Sequence, residues 1–339
     1  MIGHQKQLNL LETARAGGRM GHAYIFSGPE KIGKKTIALE WVSRIIGAPL
    51  RQNPAHPDFL FLAPLVDPKT GKIAQEITVD QIRGLIAKIA LKPVMGKYKA
   101  AIIDRAELMN NEAQNCLLKT LEEPSGGAIL ILIASDAVRL FDTVRSRCQK
   151  VKFDFLPESQ MKELLQEWRE KNKSAGGKAN DEEMVKLAAG RPGRLVDFLE
   201  NKDEMEKWRA TVEEFARIAA GELPEKFAYA KKITDAENPE MNLNEIIEIW
   251  QYHFRNRLLQ SLKGQDPAWV RPTQEIQRGS DPRDSRQDWF VFLKLKERES
   301  GQEPEKIAAI LKKIQTLDFE LRATNAHPRL SIENFFLDL

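Results

Sequence analysis

Residues 23–36, AYIFSGPEKIGKKT, decide the fold of this chain. A short apolar run at 23–27 leads into a glycine-rich turn at 28–36, and a helical stretch follows from Lys34 to Ile46. A strand, a glycine-rich turn and a helix in this order form the setting of a phosphate-binding loop. The glycines let backbone N–H groups point inward, and the N-terminus of the helix adds the positive end of its dipole. The segment therefore predicts a phosphate loop at residues 28–36.

The phosphate loop matches the pattern G-x-x-x-x-G-K-[ST] through Gly28, Gly33 and Lys34, and departs from it at the next position. Lys34 is expected to reach the terminal phosphates of a nucleotide. The pattern then requires a hydroxyl for Mg²⁺, but this chain has Lys35, and its hydroxyl comes one residue late at Thr36. A shift of one residue rotates a helical side chain by about 100°, so Thr36 does not simply replace it. Two interpretations stay open: a loop that binds nucleotide, and a degenerate loop kept for its fold.

Two further apolar runs, residues 100–104 and 128–134, are strand candidates. Continuous apolar strands suit a parallel sheet that is covered on both faces. The helix between them, from about Asn111 to Glu123, should end at Pro124, because proline cannot continue a helix. Strands that alternate with helices predict an α/β layer fold for residues 1–156.

The run at 100–104 ends in a second acidic motif of ATPases, in which an Asp supports Mg²⁺ and the following Glu orients the attacking water. Asp104 is present, but Arg105 occupies the position of the Glu. A guanidinium is always protonated and has no acceptor, so Arg105 cannot act as a base. The alternative is compensation by another carboxylate, such as Glu107, whose side chain we expect to point elsewhere. The sequence therefore predicts that hydrolysis of ATP by this chain is absent or very weak.

After residue 156 the sequence becomes helical in character, with proline and glycine punctuation and no strand signal. It forms a short helical block at 157–204 and a longer one at 205–339. Amphipathic stretches at 243–262 and 304–324 predict long helices in the second block. The polar insert between them, at 263–301, is interpreted largely as loop, and its role stays open.

Composition restricts the class of protein. The chain has 339 residues, which favours two or three domains, and a net charge of +3, which is too balanced to indicate nucleic-acid binding by itself. The two cysteines, Cys116 and Cys148, cannot form a disulfide framework or a four-cysteine zinc site, and each is expected to pack as a small apolar residue. No apolar run approaches the roughly 20 residues of a membrane helix, and the N-terminus has no signal-peptide core, so we expect a cytoplasmic protein.

Six stretches of the sequence together resemble the bacterial DNA polymerase III clamp-loader family, and within it the delta prime subunits. They are HAYIFSGP at 22–29, HPDF at 56–59, the segment from ITVDQ to AAIID at 77–104, LLKTLEEP at 117–124, SRC at 146–148 and NAHPRLSIENF at 325–335. The spacing of LLKTLEEP and SRC is the most specific of these features. The resemblance implies a RecA-like AAA+ α/β module with a parallel sheet at 1–156, a small helical lid at 157–204 and an all-α collar, or oligomerisation domain, at 205–339.

The same resemblance implies a role in DNA replication. Subunits of this family form a ring that opens a sliding clamp and places it on primed DNA. A delta prime subunit is the stationary partner, is weak or inactive in ATP hydrolysis, and presents the arginine of its SRC motif to ATP bound by a neighbour. Arg147 is the matching residue here. A planar cation aimed at the γ-phosphate offsets charge that develops during transfer; the alternative is a structural arginine.

Two further positions are implied more weakly. Ser135 follows the strand candidate at 128–134, where the family has a polar sensor of the γ-phosphate, although serine is also common at strand ends. Arg194 lies near the lid position of a second sensor arginine, but a gapless match places Gly193 there and Arg194 one residue late. Residues 47–76 contain no cysteine, so the four-cysteine zinc insertion of related modules is not expected. The cofactors implied are ATP or ADP, with Mg²⁺ only if nucleotide binds, and no zinc.

The implied partners are other clamp-loader subunits of the gamma/tau and delta types, the sliding clamp through the complex, and the backbone of primed DNA through the assembled ring. Three alternatives remain: an active gamma/tau-type ATPase, a different AAA+ DNA-processing ATPase, and a stand-alone DNA-binding protein. Lys35 and Arg105 speak against both ATPases, which should keep the hydroxyl and the catalytic Glu. No helix-turn-helix motif supports the third.

Overall fold

A computed structural model describes residues 3–50, 55–65, 74, 76–124, 126–135, 137–172, 181–235, 243–261, 303–323, 327–337 and 339. They form two compact units, Met1–Lys202 and Asp203–Leu339. The first unit includes both the α/β module and the predicted lid, so the boundaries proposed near residues 156 and 204 stay predictions. The insert predicted as loop at 263–301 lies outside the described residues. Within the described ranges, no helix has the length and apolarity required to cross a lipid bilayer.

A five-stranded parallel sheet forms the centre of the first unit. Its strands are β1 Ala23–Ser27, β2 Phe59–Leu62, β3 Lys99–Ile103, β4 Ala128–Ala134 and β5 Gln149–Lys152. Their order across the sheet is β2-β3-β4-β1-β5. The parallel α/β sheet and the strands predicted at 23–27 and 128–134 are confirmed, and the strand predicted at 100–104 begins and ends one residue earlier.

Helices cover both faces of this sheet and continue beyond it. In the first unit they are α1 Gln5–Ala16, α2 Lys34–Ile46, α3 Val79–Ile89, α4 Asn111–Glu122, α5 Asp142–Arg145, α6 Glu158–Asn172, α7 Asp181–Ala188 and α8 Pro192–Glu200, with 3₁₀ turns at Ala106–Leu108 and Ala137–Arg139. The side chain of Asn110 caps α4 by accepting a hydrogen bond from the N–H of Ala113. The predicted bounds of α2 are confirmed, and α4 ends before Pro124 as expected.

Alternating residues of the strands supply two separate cores. Ile25 of β1 and Leu132 of β4 belong to the core on one face, whereas Tyr24 and Ile133 belong to the core on the other. On that second face the ring of Trp41, from α2, packs edge-on against Tyr24 at 4.7 Å between centroids. Because both faces are buried, β4 must be apolar throughout its length, which explains its unbroken aliphatic sequence.

The HPDF motif fixes the start of β2 and the loop that precedes β3. Asp58 is fully buried, and its carboxylate accepts hydrogen bonds from the N–H groups of Val94 at 2.6 Å and Met95 at 2.7 Å. The Nδ1 atom of His56 accepts a hydrogen bond from the N–H of Asp58 at 3.1 Å. Burial acts to raise the pKa of Asp58, but the two N–H groups and the charge of Lys99 outweigh it, so this pKa lies below its ordinary value. The motif is therefore a structural clamp for the loop at 91–97.

The second unit is helical throughout its described residues. Its helices are α9 Lys202–Ala220, α10 Leu223–Thr234, α11 Leu243–Ser261, α12 Glu303–Ala323 and α13 Pro328–Leu337. Helix α11 packs against α12, and α13 packs against both α10 and α12. The core is aromatic, because Trp250 of α11 stacks on Phe215 at 4.8 Å and on Phe335 at 5.2 Å between ring centroids. The long helices predicted at 243–262 and 304–324 are confirmed to within a residue.

Candidate functional site

The phosphate loop occupies the turn between β1 and α2. Gly28 has φ 149°, and a Cβ atom there would lie 2.3 Å from the carbonyl oxygen of Phe153, so only glycine fits. Gly33 is the N-cap of α2 in the left-handed conformation, with φ 99°. No side chain caps the first N–H groups of α2, which leaves these donors and the positive helix end directed toward the loop.

A cavity of about 270 Å³ lies over this loop. Its walls come from the loop itself, from the segments that follow β3 and β4, and from the start of α8. The lining includes six of the nine predicted site residues, Gly33, Lys34, Lys35, Thr36, Asp104 and Ser135, together with Arg105. The carboxyl ends of parallel strands are where α/β folds place their ligand crevices, so this cavity is the candidate functional site.

Lys34 is the most buried cation of the cavity wall. Its ammonium donates hydrogen bonds to the backbone carbonyl of Gly28 and, at 2.7 Å, to that of Pro29. Burial lowers the pKa of Lys34 to about 8, although Glu107 and two further carboxylates act in the opposite direction. The side chain is therefore mainly protonated at neutral pH, and its ammonium contacts the backbone of the phosphate loop.

Lys35 lies at the position that normally supplies the Mg²⁺ hydroxyl. Its ammonium is 3.4 Å from a carboxylate oxygen of Asp104 and 4.4 Å from the centre of the Phe61 ring. An ammonium has no lone pair to offer a metal ion. The Asp104 carboxylate, which would support Mg²⁺, is paired with this cation instead. The residues at this point therefore do not fit Mg²⁺, although Thr36 also lines the cavity.

Glu107 corrects an expectation from the sequence, because its side chain turns into the cavity wall. Arg105 adopts the left-handed conformation with φ 53°, and the 3₁₀ turn that follows folds the chain back. One Glu107 oxygen accepts hydrogen bonds from the N–H of Ser135, at 3.0 Å, and from its hydroxyl. The other oxygen is buried and has no hydrogen-bond partner among the described residues. Sequence reasoning missed this placement because nothing in the residue types requires φ to be positive at Arg105.

Ser135 and Arg194 differ in their relation to the cavity. Ser135 lines it at the end of β4. Arg194 is buried within α8 and is not part of the cavity wall, whereas its neighbour Gly193 is. The N–H of Gly193 donates to the carbonyl of Lys31 at 2.8 Å, and the Lys31 ammonium pairs with Asp197 at 2.9 Å. Gly193 occupies the position that a gapless match assigns to the sensor arginine. This position therefore lines the cavity but carries no side chain that could contact a ligand.

Arg147 lies outside the cavity of its own chain, just after α5. It donates to the carbonyl of Thr143 at 2.9 Å and pairs with Glu122, the last residue of α4. The LLKTLEEP and SRC motifs therefore meet through an ion pair. The Arg147 side chain is 35% exposed and that of Glu122 is 49% exposed, and such surface pairs contribute only about 0–1 kcal/mol. The guanidinium can consequently exchange its carboxylate partner for another anion at little cost.

The two cysteines are placed as expected from their apolar character. Cys148 belongs to one of the sheet cores, and burial raises the pKa of its thiol to about 12. Cys116 packs partly against the same core. Among the residues with assigned positions, no cluster of three or more His, Cys, Asp or Glu side chains could hold a metal ion.

The fold and the site together define the class of protein. A phosphate loop follows β1, an acidic residue follows β3 and a polar residue follows β4, in a parallel sheet of order β2-β3-β4-β1-β5. The first unit therefore has a RecA-like P-loop fold, and the second unit is helical in its described residues. Residues 3–157 match the family described as DNA polymerase III, delta subunit. The matched residues make up a little under half of the chain and contain the whole parallel sheet.

Individual proteins with similar sequences include DNA polymerase III subunits. The chain is 35% identical over 155 residues to the DNA polymerase III subunit delta' of Pseudomonas aeruginosa, which covers 40% of this chain and 44% of the relative. It is 27% identical over 210 residues to the subunit tau/gamma of Haemophilus influenzae, covering 60% and 30% respectively. The match thus spans less than half the length of either relative. A gamma subunit-related protein of Thermotoga maritima has a similar structure, with 19% identity, a TM-score of 0.46 and coverage of 96% and 97%.

Proposed function

We propose that this chain is a clamp-loader subunit of the delta prime type that does not turn over ATP itself and supplies Arg147 in trans to nucleotide bound by a neighbouring subunit. In this role it helps to load the sliding clamp on primed DNA during replication. The match of residues 3–157 to the family described as DNA polymerase III, delta subunit, and the similarity to a delta' subunit support the assignment.

The observation that carries the proposal is the position of Arg147. The residue does not line its own cavity, it is partly exposed, and its partner Glu122 is a weakly held surface carboxylate. An arginine finger in trans needs all three properties, because it must reach a phosphate on another chain and leave its resting partner to do so. The decisive test is Arg147→Ala in the reconstituted complex.

The chemistry of the cavity supports the proposed absence of ATP turnover. Lys35 pairs with the carboxylate of Asp104, where a metal ion would be held in an active site, and Arg105 occupies the place of the catalytic Glu. The isolated chain is therefore expected to show no steady ATP hydrolysis above background. The measurement is phosphate release by the purified chain with and without DNA, and a clear rate abolished by Lys34→Ala would contradict the expectation.

Glu107 gives the alternative, an active gamma/tau-type ATPase, a specific test. Its carboxylate reaches the cavity wall and has one oxygen without a partner among the described residues, so it is the group that could replace the missing base. If turnover is found, Glu107→Gln separates the two functions. Loss of that turnover in Glu107→Gln would identify an active ATPase with a displaced base, and the stationary role would be rejected.

The proposed partners are clamp-loader subunits of the gamma/tau and delta types, with the sliding clamp and the backbone of primed DNA reached through the assembled ring. Contacts with DNA should go to phosphates and read few bases, because sequence-independent loading needs position rather than base identity. The proposed location is the cytoplasmic replisome at the bacterial nucleoid. These assignments rest on the relatives, which are DNA polymerase III subunits.

The second unit is the proposed site of oligomer contacts. Three of its leucines, Leu223, Leu330 and Leu337, are between 46% and 59% exposed, and apolar surface of this kind is typical of helical assemblies. Truncation after residue 204 is therefore expected to weaken incorporation into the complex by at least about tenfold. Co-elution of the fragment with partner subunits measures this, and a circular dichroism spectrum shows that the fragment is folded. A fragment that joins as tightly as the full chain would refute the assignment.

A further inference from the structure

We propose that the phosphate loop of this chain binds a di- or triphosphate chain without Mg²⁺, with the ammonium of Lys35 in the place of the metal ion. The ligand class is a nucleoside di- or triphosphate or the corresponding inorganic polyphosphate. The inference concerns this chain alone and does not depend on Arg147 or on any partner subunit.

The position of the Lys35 ammonium is set by three elements of the fold. Lys35 is the second residue of α2. Asp104 directly follows β3, and Phe61 lies in β2. The ammonium lies 3.4 Å from the carboxylate and 4.4 Å from the ring centre. A carboxylate and an aromatic face both attract a cation. Together they hold one positive charge at the cavity wall.

This charge also opposes the binding of a divalent metal ion. A metal at this point would have to share the Asp104 carboxylate with a cation already within 3.4 Å of it, and like charges at such a distance repel. Lys35 offers no lone pair as a ligand. Mg²⁺ requires near-ideal octahedral oxygen coordination, and the chain has replaced one of its usual oxygen donors by an ammonium.

The rest of the cavity suits phosphate. Its lining contains four cationic side chains, Lys31, Lys34, Lys35 and Arg105, and three anionic ones, Glu30, Asp104 and Glu107. The uncapped N–H groups of α2 add further donors. A volume of about 270 Å³ lies below the range of roughly 300–1,000 Å³ typical of sites that enclose a drug-sized ligand. The cavity therefore suits a phosphate chain, while a nucleoside would extend beyond it.

One buried atom indicates that the cavity is incomplete without a ligand or water. The second carboxylate oxygen of Glu107 has no hydrogen-bond partner among the described residues, although the residue is only 6% exposed. Such an atom normally has a partner. A phosphate-bound water or a protonated phosphate oxygen in the cavity would donate to it.

The test is to measure ATP, ADP and inorganic triphosphate binding to the full chain by calorimetry, in EDTA and in excess Mg²⁺. The wild-type chain should bind each ligand at least as tightly in EDTA as in excess Mg²⁺, because the dissolved ion competes with Lys35 for the same phosphate oxygens. Lys35→Thr restores the hydroxyl of the usual pattern, so its affinity should fall on the order of tenfold when Mg²⁺ is removed, the effect of losing contacts to one charged group. Tighter binding of ATP than of inorganic triphosphate would identify the nucleotide as the ligand, and equal binding would identify the phosphate chain.

The matched control is Lys88→Thr, which removes the same charge from an exposed position of α3 outside the cavity. It should bind as the wild type does in both conditions. Three results would overturn the proposal: a wild-type affinity that falls tenfold or more in EDTA, no binding of any of the three ligands, or a Lys35→Thr variant that also binds no more weakly in EDTA than in excess Mg²⁺. None of these results bears on Arg147, whose role is measured in the assembled complex.

Discussion

Arg147→Ala is expected to reduce ATP hydrolysis by about 10³-fold at the one neighbouring site that Arg147 would serve under the proposed role in trans. Other sites keep their own arginines, so total turnover should fall only in part, while clamp loading, which needs the whole ring, should fall further. The measurement is DNA- and clamp-stimulated ATP turnover beside clamp loading, with complex reconstituted from wild-type or variant chain.

The variant itself should fold and assemble. Arg147 lies just after α5 at the surface. Its ion pair with Glu122 is also exposed and contributes little to the free energy of unfolding. Arg147→Lys should not restore activity, because an ammonium lacks the planar, two-pronged geometry of a guanidinium. Arg83→Ala is the matched control, since Arg83 is an exposed helical arginine paired with Asp80 elsewhere in the same unit. Unchanged turnover and loading with Arg147→Ala in a fully assembled complex would reduce Arg147 to a structural arginine.

Asp58→Ala is expected to destabilise the first unit strongly. It removes a fully buried carboxylate and leaves the N–H groups of Val94 and Met95 without their acceptor, close to the buried Lys99. Loss of one partner in such an arrangement costs roughly 3 kcal/mol. For a unit of this size we expect the melting temperature to fall by about 10 °C, measured by circular dichroism or calorimetry.

The pH dependence of this clamp has a defined sign. The pKa of Asp58 is lower in the folded chain than its ordinary value, so its stabilising contribution is present above the ordinary pKa. That contribution is lost as the pH falls through the folded pKa. The difference in melting temperature between wild type and Asp58→Ala should therefore be large at pH 7 and shrink in acid. Asp58→Asn keeps one acceptor and should lie between the two, and an equal melting temperature for wild type and Asp58→Ala at pH 7 would show that the clamp carries no stability.

The sequence predicted the inner strands of the sheet better than its edges. Strands β1 and β4 are buried on both faces, so their residues are apolar throughout and easily recognised. Strand β5, QKVK, lies at an edge and buries only Val151, and β2 at the other edge is four residues long. The sequence of β5 has no pattern that distinguishes it from loop, and the apolar run FLFL of β2 is too short to separate a strand from a buried turn of helix. Both strands depend on pairing with a neighbour that is distant in sequence.

The sequence predicted those site residues whose positions follow from the order of strand, turn and helix. It did not predict the directions of side chains that depend on local backbone conformation. The loop from Gly28 to Thr36 and the position of Asp104 follow from the order of strand, turn and helix. The direction of Glu107 depends on the left-handed conformation of Arg105, which an arginine seldom adopts. The exclusion of Arg194 from the cavity depends on the start of α8, and a shift of one residue there exchanges a buried side chain for a cavity-facing one.

The contact between the phosphate loop and α8 bears on the rate of ligand exchange and not on affinity. Two interactions join Lys31 of the loop to α8. The N–H of Gly193 donates a hydrogen bond to the Lys31 carbonyl, and the Lys31 ammonium pairs with Asp197. A Cβ atom at position 193 would lie 2.7 Å from the Lys31 carbonyl oxygen, so the two backbones are in direct contact. Separating them breaks one backbone hydrogen bond and one surface ion pair, each of modest energy. Where a phosphate ligand enters or leaves through this contact, the rate of its exchange in both directions is limited by the opening of the contact.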